Sequence, residues 1–159
     1  MRIKLIVLDV DGVLTYGRLY IGSDGNEYKA FHTQDGMGIS LAKQAGIKTA
    51  IITGRKSKAV RKRAEELSFD YVFEGIHDKL ETLQKIIDEI GIGFEEVCYM
   101  GDDLNDIPIL TKVGWPCAPK NAMDMVKDQV MFVADSNGGD GAVLVKAHGD
   151  QLLFISGRV

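Results

Sequence analysis

The sequence predicts an α/β fold built on a doubly wound parallel sheet, and three observations favour it. Short apolar runs rich in β-branched residues recur along the chain, as in Ile3–Leu8. Between them lie segments whose apolar residues follow the three-and-four spacing of one helix face, as in Lys79–Ile90. The connections between these segments are short. Strands that alternate with helices through short loops are typical of a parallel sheet with helices on both faces.

Five strands and five helices follow from this pattern. The predicted strands are Ile3–Leu8, Thr49–Ile52, Tyr71–Phe73, Val97–Met100 and Val130–Val133. The predicted helices are Gly38–Ala45, Lys58–Leu67, Lys79–Ile90, Asn105–Thr111 and Ala122–Lys127.

The segment from about residue 16 to residue 32 departs from this alternation. Two short strand-like runs, 18–21 and 27–31, flank the turn-forming stretch Gly22-Ser23-Asp24-Gly25-Asn26, a pattern typical of a β-hairpin. The hairpin leaves the sheet after the first strand, so we expect it to overhang the edge where that strand ends. A lone two-stranded ribbon is only marginally stable in water, so a neighbouring subunit is a candidate for holding it.

Length and charge narrow the class of protein. A chain of 159 residues without repeats or linkers is expected to form a single domain over residues 1–159. The net charge of −4 argues against nucleic acid and acidic membranes as general partners. No apolar run reaches the roughly 18 residues that a membrane-spanning helix needs.

The two cysteines, Cys98 and Cys117, lack the spacing of a metal site. Buried free thiols in a reducing compartment explain them better than a disulfide or a metal site does, which predicts a cytoplasmic protein.

The first strand ends in Asp9-Val10-Asp11-Gly12, and this is the most informative feature of the chain. Ionised carboxylates are expensive to desolvate, so a pair placed after a buried strand usually binds a metal or does chemistry. Gly12 allows a sharp turn directly after the pair. In open α/β sheets, ligands bind at the carboxyl ends of the strands, where these side chains would lie.

Later strands end in polar groups that the same fold would bring to this edge. Thr53-Gly54-Arg55 follows the second predicted strand and is expected to open a helix, whose free N–H groups can bind an anion. Lys79 follows the loop after the third strand, and Gly101-Asp102-Asp103-Leu104-Asn105-Asp106 follows the fourth.

Together these groups fit phosphoryl transfer. Carboxylates of Asp9, Asp11 and Asp102 are hard oxygen ligands that suit Mg²⁺. Thr53, Lys79 and the Gly54 amide could hold the oxygens of a phosphoryl group. One Asp of the first pair could attack phosphorus to give an aspartyl-phosphate, and the other could serve as general acid and base.

Each feature also has a simpler explanation when it is taken alone. The Asp9 and Asp11 pair could simply form a turn. Thr53-Gly54 and the 102–106 cluster could each cap a helix. Lys79 could be an ordinary solvated lysine. Phosphoryl transfer is the one explanation that accounts for all four features together.

The four motifs resemble those of the haloacid dehalogenase superfamily over most of the chain. They are Asp9-Val10-Asp11-Gly12-Val13-Leu14-Thr15, Ile52-Thr53-Gly54-Arg55, Lys79 and Gly101-Asp102-Asp103-Leu104-Asn105-Asp106. The hairpin, the run 31–38 and Gly138-Gly139-Asp140-Gly141-Ala142-Val143 are similar to the 3-deoxy-D-manno-octulosonate 8-phosphate (KDO 8-phosphate) phosphatase family. Phosphatases of nine-carbon sugar acids share these features.

The resemblance implies specific roles for the residues. Asp9 would be the nucleophile, Asp11 the general acid and base, and Thr53 and Lys79 the phosphate-binding groups of the catalytic set. Asp9, the backbone carbonyl of Asp11 and Asp102 would bind Mg²⁺, with Asp103 or Asp106 supporting them. The implied substrate-binding residues are Gly12, Gly54, Arg55 and Arg63.

The resemblance also implies an architecture. The family has no large cap domain, and its homotetramers use the hairpin and segments of a neighbouring subunit to close each site. After Gly141-Ala142-Val143 the family commonly continues with Arg-Glu, whereas this chain has Leu144-Val145. Any contact that the family makes through that arginine is therefore not expected here.

The sequence therefore predicts a Mg²⁺-dependent phosphatase of KDO 8-phosphate that acts in lipopolysaccharide precursor synthesis. Arg55 and Arg63 could clamp the substrate carboxylate, although both could also be exposed helix arginines. One alternative is a phosphatase of a nine-carbon sialic-acid-type 9-phosphate. Another is a non-catalytic phosphatase-like module of a sugar-activating enzyme, which would be expected to lack Asp9, Asp11 or Lys79.

Overall fold

Strands and helices alternate along the chain after an early hairpin. A computed structural model describes residues 3–143, together with the backbone of two C-terminal strands, 145–148 and 151–154. The elements in chain order are β1 (Leu5–Leu8), β2 (Tyr20–Ile21), β3 (Glu27–Tyr28), α1 (Thr33–Gln44), β4 (Lys48–Ile52), α2 (Lys58–Glu66), β5 (Tyr71–Phe73), α3 (Lys79–Ile90), β6 (Val97–Met100), α4 (Ile107–Leu110), β7 (Trp115–Ala118), α5 (Asp124–Lys127), β8 (Phe132–Val133), β9 (Val145–His148) and β10 (Gln151–Phe154).

Six strands form one sheet in the order β5-β4-β1-β6-β7-β8, and all neighbours are parallel. The central strand β1 pairs with β4 on one side and β6 on the other, with Leu8 opposite both Ile51 and Met100. This confirms the predicted doubly wound parallel sheet. The carboxyl ends of β1, β4 and β6 therefore lie side by side at one edge.

Both faces of the sheet are buried. Successive side chains of a strand point to opposite faces, so Ile6 and Leu8 pack in one apolar cluster while Leu5 and Val7 pack in the other. The first cluster includes residues of α1 and α2, and the second includes residues of α3, α4 and α5. Helices thus cover each face, which explains why the strand sequences are continuously apolar.

One central strand was not predicted. Pro116 lacks an N–H group and argues against an internal strand, yet β7 lies between β6 and β8. The carbonyl of Pro116 accepts a hydrogen bond from the backbone N–H of Met131 at 3.0 Å, and that of Cys117 accepts one from Gly101 at 3.2 Å. Parallel pairing with β6 and β8 therefore forms despite the missing N–H of Pro116.

The predicted helix Gly38–Ala45 begins five residues too late. The observed α1 begins at Thr33, because the His32 side chain caps it by accepting a hydrogen bond from the N–H of Gln34 at 3.1 Å. Gly36 and Gly38 weaken the helix pattern in the sequence. A Cβ at Gly36 would lie 2.8 Å from Nη2 of Arg63, so a larger residue there would require the arginine side chain to shift.

Three other predicted elements are shorter than expected. The segment 105–111 divides into a tight turn at Leu104–Asp106 and the short helix α4. The segments 122–127 and 130–133 contribute only α5 and β8. The sequence pattern did not predict the antiparallel pair of β9 and β10.

The predicted hairpin is present as β2 and β3, with Tyr20 opposite Tyr28 and Ile21 opposite Glu27. Gly25 at its tip has a φ of 81°, a conformation that favours glycine. Two of its apolar side chains are strongly exposed, with Ile21 65% and Tyr28 62% accessible.

None of the helices within the described residues has the length and apolar composition needed to cross a bilayer. Leu144 lies outside the described residues, and of Val145 only the backbone is described.

Candidate active site

A polar cavity opens at the carboxyl edge of the sheet. The residues that line it are Asp9, Asp11, Thr53, Gly54, Arg55, Lys79, Asp102, Asp103 and Asn105. These residues come from the ends of β1, β4 and β6 and from the start of α3. The structure therefore brings together seven of the predicted site residues, and Gly12 lies against Asp102 at the same edge.

Asp9 directly follows β1 and is 7% exposed. Its backbone N–H donates to the carbonyl of Met100 at 3.1 Å, which continues the ladder between β1 and β6. Its Oδ1 accepts a hydrogen bond from the N–H of Val10 at 2.7 Å, and its Oδ2 lies 2.9 Å from Nζ of Lys79. The carboxylate is therefore held in one orientation next to a cation.

A wide turn over Val10–Leu14 follows Asp9, and the N–H of Thr15 closes it by donating to the carbonyl of Val10 at 3.1 Å. Gly12 has a φ of 89°, and a Cβ there would lie 1.9 Å from Oδ2 of Asp102. Only glycine allows the turn to approach Asp102 this closely. The turn leaves Asp11 half-buried at the cavity wall.

Thr53 and Gly54 follow β4, and Thr53 is 3% exposed. The expectation that Thr53-Gly54-Arg55 opens a helix is wrong, because α2 begins at Lys58 and Ser57 is its capping residue. The loop is fixed instead by backbone bonds of Thr53, whose N–H donates to Phe73 and whose carbonyl accepts from Ile76. The Gly54 amide at this site therefore belongs to a loop, with no helix dipole behind it.

Lys79 is the first residue of α3 and is 3% exposed. Asp78 caps the helix by accepting from the N–H of Glu81 at 2.9 Å, which sets where α3 begins. The Lys79 ammonium lies 2.9 Å from Asp9 and 2.7 Å from Asp106. Burial alone would lower the pKa of Lys79, but these two carboxylates raise it, so the side chain stays charged.

Asp106 is fully buried and holds Lys79 in place. Its Oδ1 accepts from Nζ of Lys79 at 2.7 Å and from the hydroxyl of Tyr99 at 2.6 Å. Its Oδ2 accepts from the backbone N–H groups of Asp102 and Asp103 at 3.0 and 3.2 Å. Four donors saturate this carboxylate. Tyr99 gave no signal in the sequence, where it is one apolar residue of a buried strand.

Asp102 provides a direct test of whether the site fits a cation. One oxygen each of Asp9, Asp102 and Asp106 lie within 4.8 Å of one another. Oδ1 of Asp102 is buried and has no hydrogen-bond partner among the described residues. Because Asp106 is saturated, Asp9 and Asp102 are the carboxylates left for a metal, and hard oxygen ligands suit Mg²⁺.

The electrostatics of these carboxylates agree with that fit. Burial, the charge of Asp9 and the charge of Asp106 raise the pKa of Asp102 to about 8. Burial and the charge of Asp106 raise the pKa of Asp9 to about 6, although Lys79 opposes the shift. The protein alone does not compensate the negative charge gathered here, whereas a divalent cation would.

The two predicted arginines lie in different places. Arg55 lines the cavity, where its Nη2 lies 2.6 Å from Glu27 of the hairpin and its Nε 3.8 Å from Asp11. Arg63 is not among the residues that line the cavity. Its guanidinium lies over the ring of Phe31, 5.9 Å from the centroid, and pairs with Glu66 at 3.4 Å.

Comparisons with known proteins agree with this site. A family model described as haloacid dehalogenase-like hydrolase matches residues 72–145. The 3-deoxy-D-manno-octulosonate 8-phosphate phosphatase KdsC of Escherichia coli K12 is 40% identical over 158 residues, which cover 99% of this chain and 83% of that protein.

Solved structures give the same result. The KDO 8-phosphate phosphatase of Moraxella catarrhalis, in complex with magnesium ion, phosphate ion and KDO, matches with a TM-score of 0.87 and 39% identity, covering 89% of this chain and 81% of that one. The cobalt-bound enzyme of Haemophilus influenzae matches with a TM-score of 0.85 and 35% identity, covering 89% and 82%. Sequence, fold and four motifs at one sheet edge thus agree, and the chain belongs to the KDO 8-phosphate phosphatase family of haloacid dehalogenase-like hydrolases.

Proposed function

We propose that this protein is a Mg²⁺-dependent phosphatase that hydrolyses KDO 8-phosphate to KDO and phosphate. One observation carries the proposal: a single cavity gathers a buried carboxylate, a second carboxylate two residues later, a buried lysine and a hydroxyl. The family supports the same reaction and the same substrate. The retention of Asp9, Asp11 and Lys79 counts against a non-catalytic module.

In the first step, a carboxylate oxygen of Asp9 attacks phosphorus and the bond to the sugar oxygen breaks. Thr53, the Gly54 amide and Lys79 hold the phosphoryl oxygens, and Lys79 offsets the charge repulsion between carboxylate and phosphate. Asp11 donates its proton to the departing sugar alkoxide. The products of this step are the free sugar acid and an aspartyl-phosphate on Asp9.

In the second step, Asp11 takes a proton from water, and the hydroxide attacks phosphorus of the aspartyl-phosphate. The bond between phosphorus and Asp9 breaks, which returns the carboxylate and releases phosphate. Asp11 is thereby protonated again for the next cycle. Asp106 touches neither substrate nor phosphorus and acts by positioning Lys79.

The side chains of Asp9 and Asp102 and the backbone carbonyl of Asp11 would hold Mg²⁺. When bound, the ion supplies positive charge that stabilises the phosphoryl oxygens as negative charge develops on them.

The substrate carboxylate is expected to pair with arginine. Arg55 is the better placed of the two candidates because it lines the cavity, where its guanidinium pairs with Glu27. Arg63 lies in α2 outside the cavity lining, where Phe31 and Glu66 contact its guanidinium. A nine-carbon sugar acid 9-phosphate would undergo the same chemistry, and only the length of the pocket would distinguish the two.

The proposal is tested by measuring phosphate release with Mg²⁺ from KDO 8-phosphate, a sialic-acid-type 9-phosphate, hexose phosphates and an aryl phosphate. We expect kcat/KM for KDO 8-phosphate to exceed the others about 100-fold, which equals about 2.7 kcal/mol of transition-state discrimination. A preference for the nine-carbon ester would transfer the assignment to that class. Equal, slow rates on all esters would contradict the assigned substrate.

We also propose that four copies assemble and that the hairpin helps to close a neighbour's site. The exposed Tyr20, Ile21 and Tyr28 support this, because isolated apolar side chains on a marginal ribbon are stabilised by burial against a partner. Light scattering is expected to give the mass of a tetramer, and a monomer at assay concentration would contradict the shared site.

We expect the enzyme to act in the cytoplasm, where the free thiols Cys98 and Cys117 would stay reduced.

A further inference from the structure

The hairpin places a lysine against Asp11 at the wall of the candidate active site. Lys29 directly follows β3, and its side chain is only 1% exposed. Its ammonium lies 2.6 Å from Oδ1 of Asp11 and 2.9 Å from Oε1 of Glu27. Lysine is almost never fully buried unless it is paired, so this side chain has been drawn into the site by the two carboxylates.

We infer that Lys29 is a positioning residue that holds Asp11 for proton transfer to the leaving group, so that the hairpin takes part in the chemistry. The inference rests on the proposed phosphatase mechanism and does not depend on which sugar phosphate is the substrate.

Asp11 needs a partner of this kind. It lies in the wide turn after β1 and, unlike Asp9, its side chain accepts no backbone hydrogen bond from the described residues. Within the described part of the chain, Lys29 is the one hydrogen-bond donor to its carboxylate. The other nearby cation, Arg55, is 3.8 Å from Oδ2, too far for a hydrogen bond. Lys29 therefore fixes Oδ1 and leaves Oδ2 as the oxygen available for the proton.

Lys29 is itself fixed by its neighbours. Glu27 and Lys29 are two residues apart, so they lie on the same face of the hairpin strand. Glu27 binds Arg55 at 2.6 Å, which ties that face to the loop after β4. The result is a chain of alternating charges, Asp11, Lys29, Glu27 and Arg55, in which each group limits the movement of the next. Displacing a catalytic group by about 1 Å can lower the rate about 100-fold.

The alternative is that these contacts only anchor the hairpin and leave Asp11 in place without Lys29. The two roles differ in how they depend on the leaving group. A sugar alkoxide needs a proton as it departs, whereas p-nitrophenolate is stable without one. In a two-step mechanism kcat/KM reports the steps up to loss of the leaving group. Misplacing Asp11 should therefore lower kcat/KM for a sugar phosphate much more than for an aryl phosphate.

The test compares wild type with Lys29→Met, which keeps most of the aliphatic chain. The substrates are p-nitrophenyl phosphate and the best sugar phosphate of the panel. We expect kcat/KM to fall about 100-fold for the sugar phosphate and less than about 5-fold for the aryl ester. Lys29→Arg, which restores a cation, should recover most of the difference. Lys48→Met is the matched control, because Lys48 pairs with Asp70 outside the cavity, and both of its rates should stay unchanged.

Each outcome decides the matter. Equal losses on both esters, or no loss on either, would overturn the positioning role while the phosphatase assignment stands. If wild type hydrolyses neither ester, the proposed function fails and the inference falls with it. If Lys29→Met does not fold, as judged by its thermal unfolding, Lys29→Gln carries the same comparison, since its side chain is uncharged and one atom too short to place a donor where Nζ contacts Asp11.

Discussion

Asp9→Asn is expected to abolish phosphate release, by at least about 10³-fold in kcat, without weakening the fold. The loss of activity follows because an amide cannot attack phosphorus to form the aspartyl-phosphate. The fold should survive because the folded state disfavours the ionised form of the Asp9 carboxyl group. Its pKa is raised to about 6, first by burial and then by the charge of Asp106.

The sign of the stability effect follows from this shift. A carboxyl group whose pKa is higher in the folded state than in the unfolded state stabilises the fold at low pH, and this contribution is lost as pH rises through the folded value. At pH 8 and without divalent cations, the ionised Asp9 therefore opposes folding, and the neutral asparagine removes this effect. Lys79 keeps its pairing with Asp106 at 2.7 Å.

The measurement is phosphate release together with thermal unfolding in EDTA at pH 8. Wild type should be active, whereas Asp9→Asn should be inactive with an equal or higher Tm. Asp124→Asn is the control, since that side chain is 97% exposed and both readings should match wild type. A variant that kept its activity would refute Asp9 as nucleophile. An inactive variant with a much lower Tm would leave misfolding as the cause.

The fold class could be predicted because its evidence is local. Each strand of the central sheet except β7 has a run of apolar residues in the sequence, and α3 has a regular apolar face. The features of the fold that the sequence did not predict depend on tertiary contacts. Pro116 masks β7, and the true start of α1 depends on a capping His32 that no apolar pattern reports.

The grouping of the candidate site residues was predictable for a related reason. Asp9, Thr53, Lys79 and Asp102 each follow a strand, and the ends of parallel strands meet at one edge whatever the details of packing. Lys29 had no such signal, because its place in the site depends on how the hairpin folds back over that edge. The roles of Tyr99 and Asp106 around Lys79 likewise appear only when β6 and α3 are packed together.

Mg²⁺ is expected to stabilise the protein strongly at pH 8 and only weakly at pH 5.5. Burial and the charges of Asp9 and Asp106 raise the pKa of Asp102 from the usual 3.8 to about 8. Below that value the folded protein holds a proton on Asp102, which a metal ligand must lose. As pH rises toward 8, the cation-free fold loses stability because ionised carboxylates accumulate. At this pH, Mg²⁺ binding relieves the repulsion between the ionised carboxylates, and fewer protons must leave Asp102 for the ion to bind.

The size of the effect can be estimated from mass action. At 100 times its dissociation constant, a ligand of the folded state adds about 2.7 kcal/mol to the free energy of unfolding. For a chain of this length that raises Tm by roughly 5–10 °C. Thermal unfolding with and without excess Mg²⁺ at both pH values measures it directly, and no enzymatic turnover is involved.

Asp102→Asn separates this mechanism from a general effect of salt. The variant should be more stable than wild type in EDTA at pH 8, because it replaces a partly buried carboxylate beside Asp9 and Asp106 with an uncharged amide. It should also lose most of the Tm increase with Mg²⁺, whereas the exposed Asp128→Asn should retain it. An Asp102→Asn protein that responded to Mg²⁺ like wild type would show that the ion binds elsewhere. Asp102 is thus expected to destabilise the fold without a metal, because its charge is repelled by Asp9 and Asp106 and only a bound cation would offset that repulsion.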